Sequence, residues 1–568
     1  MYASTHRPAN PDRMRGRILA AMLVVLSFVM VGRLVQLQVF EHSKWSAAAA
    51  AMQEATIEIP GQRGSILDAN GVPLAYDIRA SAIAVDGISA VLPAVLARIL
   101  SEELGLTLSA ATDLVTRDSY FTWVDRDVDL ETARRIEDRM EEAGAYGLVF
   151  IDTWQRCYPQ NSLASNIIGF VGIDGYGLEG IELAYDEELR GTPTTVHIVE
   201  SANGSTVSTE TIVEGRRGSD IVLEIDARLQ LICEESIDAG VDRFDARAGM
   251  IVVIDPDDGR VLAMAQSERY NINEYSSSPA EQRKNLAVAY PFEPGSIFKS
   301  FCGVAALEAG VVDPTDLLNG DDGITVGGHV IHNSEYHSYG MITFAEVIQG
   351  SINAGMIQVA LELGKEPYHA FLSAVGFGAE TGIELPGEVH GTLRDPSLWS
   401  DLDLASSSIG QSVAVTAIQL VVGLATIANG GYTVQPHIVQ SVDGIATGPY
   451  ELGTQVVSSQ SCAEMREMME LVVESGTAML AALDGIAVAG KSGTAQKAEP
   501  GVGYSSDKYT SLFTGLFPAD DPKYVFLVVL DEVGTTPVWG GYTCGQIFHD
   551  AASRYLVCEP LPSVASAP

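Results

Sequence analysis

The longest apolar run of the chain lies close to its N-terminus. Residues 18–32 form fifteen consecutive uncharged positions, and after Arg33 the apolar character continues to residue 40. A helix needs about 20 such residues to cross a membrane. Residues 18–40 are therefore long enough to span one, provided that Arg33 extends its charge to the headgroups. The pattern predicts one transmembrane helix, since no second run of this kind follows.

The segment after this anchor mixes short patterns of both kinds. Residues 56–59 alternate polar and apolar side chains like a strand, which stops at Pro60 and Gly61. Residues 62–225 combine short strands, Gly-rich turns and acidic helices such as residues 130–143. Histidines and carboxylates do not cluster there at catalytic spacing. We interpret this section as a scaffold.

A second section begins near Ile221 and is richer in buried-strand patterns. Its apolar runs predict strands, at residues 221–226, 249–254, 260–265, 509–516 and 524–530. Two of them, separated by the turn 255–259, predict a hairpin. Helical patterns occupy residues 227–239 and much of 296–480. These elements predict a sheet covered by helices, in an α+β or α/β domain, followed by a disordered tail at residues 559–568.

Charge is distributed unevenly along the 568 residues. The chain has 34 basic and 74 acidic side chains and a net charge of −40, whereas residues 1–17 carry four arginines against one aspartate. Excess positive charge marks the cytoplasmic side of a membrane helix, which predicts an outer part with a charge of −43. This acidity argues against nucleic-acid binding. A cleaved signal peptide is a competing interpretation, but the small residues 47–51 lie far beyond its expected cleavage site.

Cysteine and histidine patterns suggest little chemistry. Six cysteines without a C-x-x-C pair exclude a zinc ribbon and a disulfide scaffold. A single bond between Cys544 and Cys558 is an open alternative to small buried side chains. A loop before residue 351 carries three histidines, which we interpret as solvated because no further ligand completes a zinc site: His329, His332 and His337.

A serine and a lysine, Ser296 and Lys299, stand three residues apart at the start of an apolar helical pattern. Residues i and i+3 share one face of a helix, so the lysine can reach the serine hydroxyl. A lysine that is partly desolvated beside another cation can act as a base. The pair alone is ambiguous, because such a serine is commonly an N-cap. Residues 505–508 repeat the spacing in a polar segment that we predict to be a loop.

A second polar group, Ser351 and Asn353, follows 55 residues after Ser296, between two helical patterns. The Ser351 hydroxyl can relay a proton, and the Asn353 amide can hold Lys299 and a substrate carbonyl. The same spacing also occurs at residues 201–203, within the scaffold.

A third group, residues 491–494, follows the apolar residues 485–490. On an edge strand Lys491 and Gly493 face one side of the sheet, and Ser492 and Thr494 face the other. Gly493 allows a ligand backbone to approach, and Lys491 supplies positive charge.

These three groups, in this order, resemble the Ser-x-x-Lys, Ser-x-Asn and Lys-Ser/Thr-Gly signature of the penicillin-binding proteins. Ile352 stands where some relatives carry Asp or Ser, and Ser492 keeps the hydroxyl of Thr. Nearly the whole chain from the anchor to about residue 556 resembles class B members. In the scaffold the matching segments are Arg63 to Asp68 with Asn70-Gly71, Gly180-Ile181-Glu182 and Leu189-Arg190-Gly191. In the second section they are Ile225-Asp226 through Gln230, Gly410-Gln411, Thr416, Gln419 and Asn429-Gly430-Gly431.

The resemblance implies an α+β fold with an elongated non-catalytic pedestal and a transpeptidase domain whose antiparallel sheet is covered by helices. The implied parts are a cytoplasmic tail 1–17, an anchor 18–40, a pedestal 41–220, a transpeptidase domain 221–558 and a flexible tail 559–568. It implies neither a cofactor nor a metal.

The resemblance also implies a mechanism. Ser296 attacks the carbonyl between the two terminal D-alanines of a peptidoglycan stem peptide, and Lys299 takes its proton. Ser351 passes the proton to the leaving amine, Asn353 positions the group, and Lys491 supplies positive potential. An amine of a neighbouring stem peptide then resolves the acyl-enzyme, and β-lactams acylate the same serine.

Substrate binding is implied for the third group. The backbone N–H groups of Ser296 and Thr494 form the oxyanion hole. The hydroxyls of Ser492 and Thr494 bind the substrate carboxylate, beside Gly493.

Two alternatives keep the same motifs. One is a β-lactamase or β-lactam sensor, but we identify no carboxylate that activates water, and only about seventeen residues precede the anchor. The other is a catalytically inactive cell-wall scaffold, although all three motifs retain their reactive groups. The preferred interpretation is a single-pass protein of the bacterial cell membrane, of the division or elongation type, with an extracytoplasmic catalytic domain and a glycosyltransferase partner in trans.

Overall fold

The structure is a computed structural model, and it describes residues 11–45, 54–119, 121–200, 206–499, 503–559 and 561. Residues 1–10, 201–203 and 562–568, which carry predictions made above, lie outside the described residues. The chain forms two compact units. The first unit comprises residues 1–61, 79–154 and 192–216, and the second comprises residues 62–78, 155–191 and 217–568.

The N-terminal helix, Pro11–Val35, continues as a π-helix, Gln36–Phe40. Its apolar side chains are exposed on all sides, as expected of a helix surrounded by lipid rather than by protein. Residues 14–40 are the only helix in the described part of the chain that is long and apolar enough to cross a membrane. The prediction of a single N-terminal apolar helix is confirmed.

The first unit contains two further assemblies of secondary structure. Three antiparallel strands form one sheet, in the order Glu54–Ile59, Thr194–Glu200 and Thr206–Val213. The strand Thr122–Asp129 pairs with the second half of Pro73–Val85. The helices packed beside this strand pair in the first unit are Pro93–Leu104, Leu108–Val115 and Leu130–Ala143. These three bury apolar faces in a core of their own, which contains Ile83, Leu100, Val128 and Ile136.

The second unit is built on a five-stranded antiparallel sheet, here called the central sheet. Its strands in spatial order are Val261–Gln266, Ala248–Ile254, Tyr524–Asp531, Gly503–Phe517 and Ala489–Glu499. The last of these, here called the edge strand, pairs on one side only. Ala248–Ile254 is buried at every position, because helices cover the sheet. The predicted α+β class is confirmed, and its sheet is antiparallel.

Helices Ala227–Phe244 and Cys544–Cys558 pack together against the central sheet, where the Phe548 ring lies against Gly515. Ala417–Ala428 contacts two central strands, and it is buried along its whole length. The other helices of eight or more residues in this unit are Phe298–Glu308, Asn353–Leu363, Lys365–Val375, Asp401–Ser408 and Ser459–Glu474. The shorter α-helices are Ser165–Ile168, Gly180–Ala184, Asp186–Arg190, Ala280–Arg283, Leu286–Ala289 and Phe344–Gln349.

Smaller strands complete the second unit. Ile66–Leu67 pairs with Ile221–Leu223, which pairs with Val439–Val442 and through it with Ile445–Ala446. Two short hairpins precede residue 351. They are Leu317–Asn319 with Met341–Thr343, and Ile324–Val326 with His329–Ile331.

One predicted loop is wrong. Residues 505–508 lie inside the strand Gly503–Phe517, which forms a hairpin with the edge strand through pairs such as Ala498 with Tyr504. The register shifts here, since Gln496 pairs with Tyr509 and Ala498 with Tyr504, so the polar residues 505–508 form an irregular part of the strand between paired positions. Residues 505–508 do not begin a helix, so Ser505 and Lys508 lack the helical spacing that puts residues i and i+3 on one face.

A disulfide between Cys544 and Cys558 is also excluded. The two residues are the first and last of one 15-residue helix, and a rise of about 1.5 Å per residue separates them by about 21 Å. A disulfide requires Cα atoms within about 7 Å. All six cysteines are free.

Candidate active site

Ser296 lies in a tight 3-10 turn, Gly295–Ile297, that leads into the helix Phe298–Glu308. The turn begins at Gly295, whose φ of +52° favours glycine. The helix is buried at every position from Phe298 to Leu307, so packing against the core holds it in place. Ser296 itself is half-buried.

The turn lies against the edge strand. A Cβ added at Gly295 would lie 3.0 Å from the Thr494 carbonyl oxygen, and one added at Gly493 would lie 2.9 Å from the Pro294 carbonyl oxygen. Because Gly493 has no side chain, the backbone of the turn that carries Ser296 can approach the backbone of the edge strand beside Thr494. The first and third sequence groups meet here.

Lys299 is completely buried, and its Nζ has three partners from the second group. It lies 2.5 Å from the Ser351 carbonyl oxygen, 2.7 Å from Asn353 Oδ1 and 3.2 Å from Ser351 Oγ. One helical turn after Ser296, the lysine therefore reaches across to residues more than 50 positions later in the chain.

Ser351 lies in the turn between helices Phe344–Gln349 and Asn353–Leu363, and Asn353 is the first residue of the second helix. Ser351 adopts a left-handed φ of +56°, which few non-glycine residues do. Ile352 between them is buried. The apolar middle residue anchors the turn, which leaves the two polar side chains to face Lys299.

Lys491 reaches the same place from the edge strand. It is completely buried, and its Nζ lies 3.0 Å from Ser351 Oγ and 3.0 Å from the Ser492 carbonyl oxygen. The neighbouring hydroxyls are held separately. Ser492 Oγ lies 2.9 Å from Thr477 Oγ1, and Thr494 Oγ1 accepts a hydrogen bond from the Gly540 N–H at 3.1 Å.

Burial changes the protonation of both lysines. It lowers the pKa of Lys299 well below the usual lysine range, and the positive charge of Lys491 lowers it further. Burial also lowers the pKa of Lys491, to about 7. Two ammonium groups beside one hydroxyl repel each other in a medium of low polarity. The neutral form of the lysine amine, which a base requires, is therefore populated near physiological pH.

Several contacts of the site have no counterpart in the sequence patterns. Asn353 Nδ2 donates to the His332 carbonyl oxygen at 2.8 Å, and a backbone carbonyl carries no residue-type information. Thr477 and Gly540 come from segments that show no recognisable motif. Among the described residues, no group of three or more His, Cys, Asp or Glu side chains is placed to hold a metal ion.

Comparisons with known proteins agree with this geometry. Residues 249–553 match the family model of the penicillin-binding protein transpeptidase domain, and residues 58–223 match that of the penicillin-binding protein dimerisation domain. The chain is 32% identical to a probable peptidoglycan D,D-transpeptidase, PbpC, of Pseudomonas aeruginosa, over 96% of this chain and 95% of that protein. It is 28% identical to the peptidoglycan D,D-transpeptidase FtsI of Escherichia coli, over 96% of this chain and 93% of the relative.

A solved structure gives the same assignment. The chain is similar to penicillin-binding protein 3 of Mycobacterium tuberculosis in complex with aztreonam, with a TM-score of 0.69 and 28% identity, over 89% of this chain and 98% of that one. Both matched domains and the relatives' full-length coverage point to one family. The chain belongs to the class B penicillin-binding proteins and is a peptidoglycan D,D-transpeptidase.

Proposed function

We propose that Ser296 is the nucleophile that forms the acyl-enzyme and that Lys299 is its base. The observation that carries this proposal is the convergence of Lys299, Asn353 and Lys491 on or beside Ser351. A neutral lysine has two N–H groups and one lone pair. If the N–H groups donate to the Ser351 carbonyl and Asn353 Oδ1, the lone pair is available for the proton of the Ser296 hydroxyl.

The proton then travels through Ser351. Its hydroxyl lies within hydrogen-bond distance of both lysines, so it can receive a proton from Lys299 while donating its own to the leaving D-alanine amine. Lys491 stays close enough to stabilise negative charge that develops on this hydroxyl. In this scheme Asn353 holds Lys299 in place and orients the substrate amide.

The edge strand is the proposed binding surface for the stem peptide. It pairs on one side only, and an extended peptide can add to such an edge through backbone hydrogen bonds. The N–H groups of Ser296 and Thr494 then bind the oxyanion. The hydroxyls of Ser492 and Thr494, beside Gly493, bind the terminal carboxylate. An amine of a second stem peptide attacks the acyl-enzyme and completes the cross-link.

We further propose that the N-terminal helix holds the catalytic unit outside the cytoplasm. The arginines that precede the apolar run support a cytoplasmic N-terminus. Glycan polymerisation is assigned to a glycosyltransferase partner in trans, because the two matched domains are a transpeptidase and a dimerisation domain.

Labelling with a fluorescent penicillin tests the nucleophile. The full-length protein in detergent is expected to be labelled covalently, and Ser296→Ala to abolish the labelling. Ser300→Ala is the matched control, because Ser300 is buried on the following helix and its hydroxyl has no hydrogen-bond partner among the described residues. Persistent labelling of Ser296→Ala would overturn the assignment. An adduct that hydrolyses within seconds would indicate a β-lactamase instead.

A further inference from the structure

The Asn353 side chain is held at both ends of its amide. Its Oδ1 accepts from Lys299 Nζ at 2.7 Å, and its Nδ2 donates to the His332 carbonyl oxygen at 2.8 Å. An amide presents an acceptor at one end and a donor at the other. The His332 carbonyl can accept only from the donor end, so this bond determines that the oxygen faces Lys299.

The position of the His332 carbonyl is set by the next residue. Asn333 is 5% exposed, although it lies in the loop between strands His329–Ile331 and Met341–Thr343. Its Nδ2 donates to the carbonyl oxygens of Gly320 and His337, both at 2.9 Å, and its backbone N–H donates to Asp322 Oδ1 at 2.7 Å. These bonds close the loop on itself around one buried side chain.

Asn333 also bonds to the helix that begins with Asn353. Its Oδ1 accepts from the Ala354 N–H at 2.9 Å, and N–H groups in the first turn of a helix lack partners within the helix. The loop is therefore attached to the start of this helix at two successive residues. At the first residue, the Asn353 side chain bonds the His332 carbonyl. At the second, the Ala354 N–H bonds the Asn333 side chain.

We propose that Asn333 is a positioning residue for acylation, which acts on Lys299 through Asn353. Without its side chain, the His332 carbonyl and the first turn of the helix lose their common support, and the Asn353 amide becomes free to rotate away from Lys299. The inference rests on the proposed roles of Lys299 and Asn353. It goes beyond them because Asn333 belongs to none of the three sequence groups.

Asn429 provides a matched control for a merely structural role. It is also an asparagine with three hydrogen bonds to backbone groups: its Nδ2 donates to the carbonyl oxygens of Pro256 and Tyr432, and its Oδ1 accepts from the Tyr432 N–H. Pro256 and Tyr432 belong to none of the three sequence groups that form the site. Asn429→Ala thus removes the same number of bonds as Asn333→Ala, away from Lys299.

The test measures acylation of the full-length protein in detergent by a fluorescent penicillin over a concentration series. This series separates the Kd of the initial complex from the first-order acylation rate constant. Asn333→Ala is expected to lower the rate constant about 10- to 100-fold, as misplacement of catalytic groups does, and to change Kd less than about twofold. Asn429→Ala is expected to keep the rate constant within about twofold of the wild-type value.

Asn353→Ala separates the two proposals. If it acylates at the wild-type rate, the proposed role of Asn353 fails. If it is slow while Asn333→Ala is unchanged, or if Asn429→Ala is as slow as Asn333→Ala, only the inference about Asn333 is overturned. Should Asn333→Ala not fold, Asn333→Asp keeps the acceptor for the Ala354 N–H and loses the two donated bonds. A wild-type rate in that variant would equally overturn the inference.

Discussion

Lys299 and Lys491 share one hydroxyl group. Their Nζ atoms lie 3.2 Å and 3.0 Å from Ser351 Oγ, and both side chains are completely buried. In such surroundings two full positive charges are strongly unfavourable. The pair therefore takes up and releases protons as a unit, and its apparent pKa values belong to both lysines together.

Acylation is expected to slow on the acid side of neutrality. Lys299 acts as a base only when neutral, and burial together with Lys491 lowers its pKa. Lowering the pH protonates the pair and removes the base. In Lys491→Met the neighbouring charge is absent, so the pKa of Lys299 rises and the acid limb moves to higher pH. The measurement is the acylation rate constant as a function of pH. The quantity compared between variants is the pH at which the rate constant falls to half its maximum, and not the maximum itself.

Lys497→Met is the control for this shift. Lys497 lies on the same edge strand, but its Nζ pairs with Asp531 and Glu532 at 2.9 Å and 2.8 Å. It is expected to leave the limb unchanged. An unshifted limb in Lys491→Met would contradict the coupling of the two lysines.

Two substitutions at Ser351 are expected to separate its chemistry from its backbone. Ser351→Ala and Ser351→Gly both remove the hydroxyl that the lysines share, so both should slow acylation to a similar extent. The left-handed φ of +56° suits glycine better than alanine. Ser351→Gly should therefore be more stable than Ser351→Ala by about 1 kcal/mol. Thermal unfolding beside penicillin labelling checks both, and a fully active Ser351→Ala would exclude the proton relay.

A buried ion cluster in the second unit is expected to matter for stability but not for chemistry. Glu182 is completely buried, and its carboxylate bonds Arg63 Nε and Arg156 Nε, each at 2.7 Å. Glu182→Gln leaves two buried guanidinium groups without this charge. Breaking such a cluster costs about 3 to 5 kcal/mol.

Denaturant unfolding of the full-length protein measures this cost. Glu131→Gln, which removes an exposed i,i+4 partner of Arg135, should have a much smaller effect. Equal effects of the two substitutions would refute the importance of burial. The acylation rate constant of folded Glu182→Gln should remain that of the wild type.

All six thiols are expected to be free, although the proposed location outside the cytoplasm permits disulfides. Cys544 and Cys558 stand at opposite ends of one helix. Thiol titration of the denatured, unreduced protein should therefore give six groups, and a reductant should not change its thermal midpoint. A count of four would show that two cysteines pair.

The sequence by itself determined the N-terminal apolar helix, the α+β class and the three polar groups, because each depends on local spacing. A long uncharged run predicts an apolar helix from composition alone, and the i,i+3 spacing marks Ser296 and Lys299 as a candidate pair. The domain limits at residues 40, 220 and 558, and the roles of the site residues, stay predictions.

Only the tertiary structure decided what these groups do to one another. Ser351 and Lys491 are 140 residues apart, and their contact depends on how the edge strand packs beside the turn at Ser351. Burial, which lowers the pKa of both lysines, is likewise a property of the packed core. The His332 carbonyl that holds Asn353 belongs to the backbone, which every residue has, so no residue pattern predicts it. The segment 505–508 was misassigned because its polar composition is typical of a loop, whereas the hairpin with the edge strand includes it in the strand Gly503–Phe517.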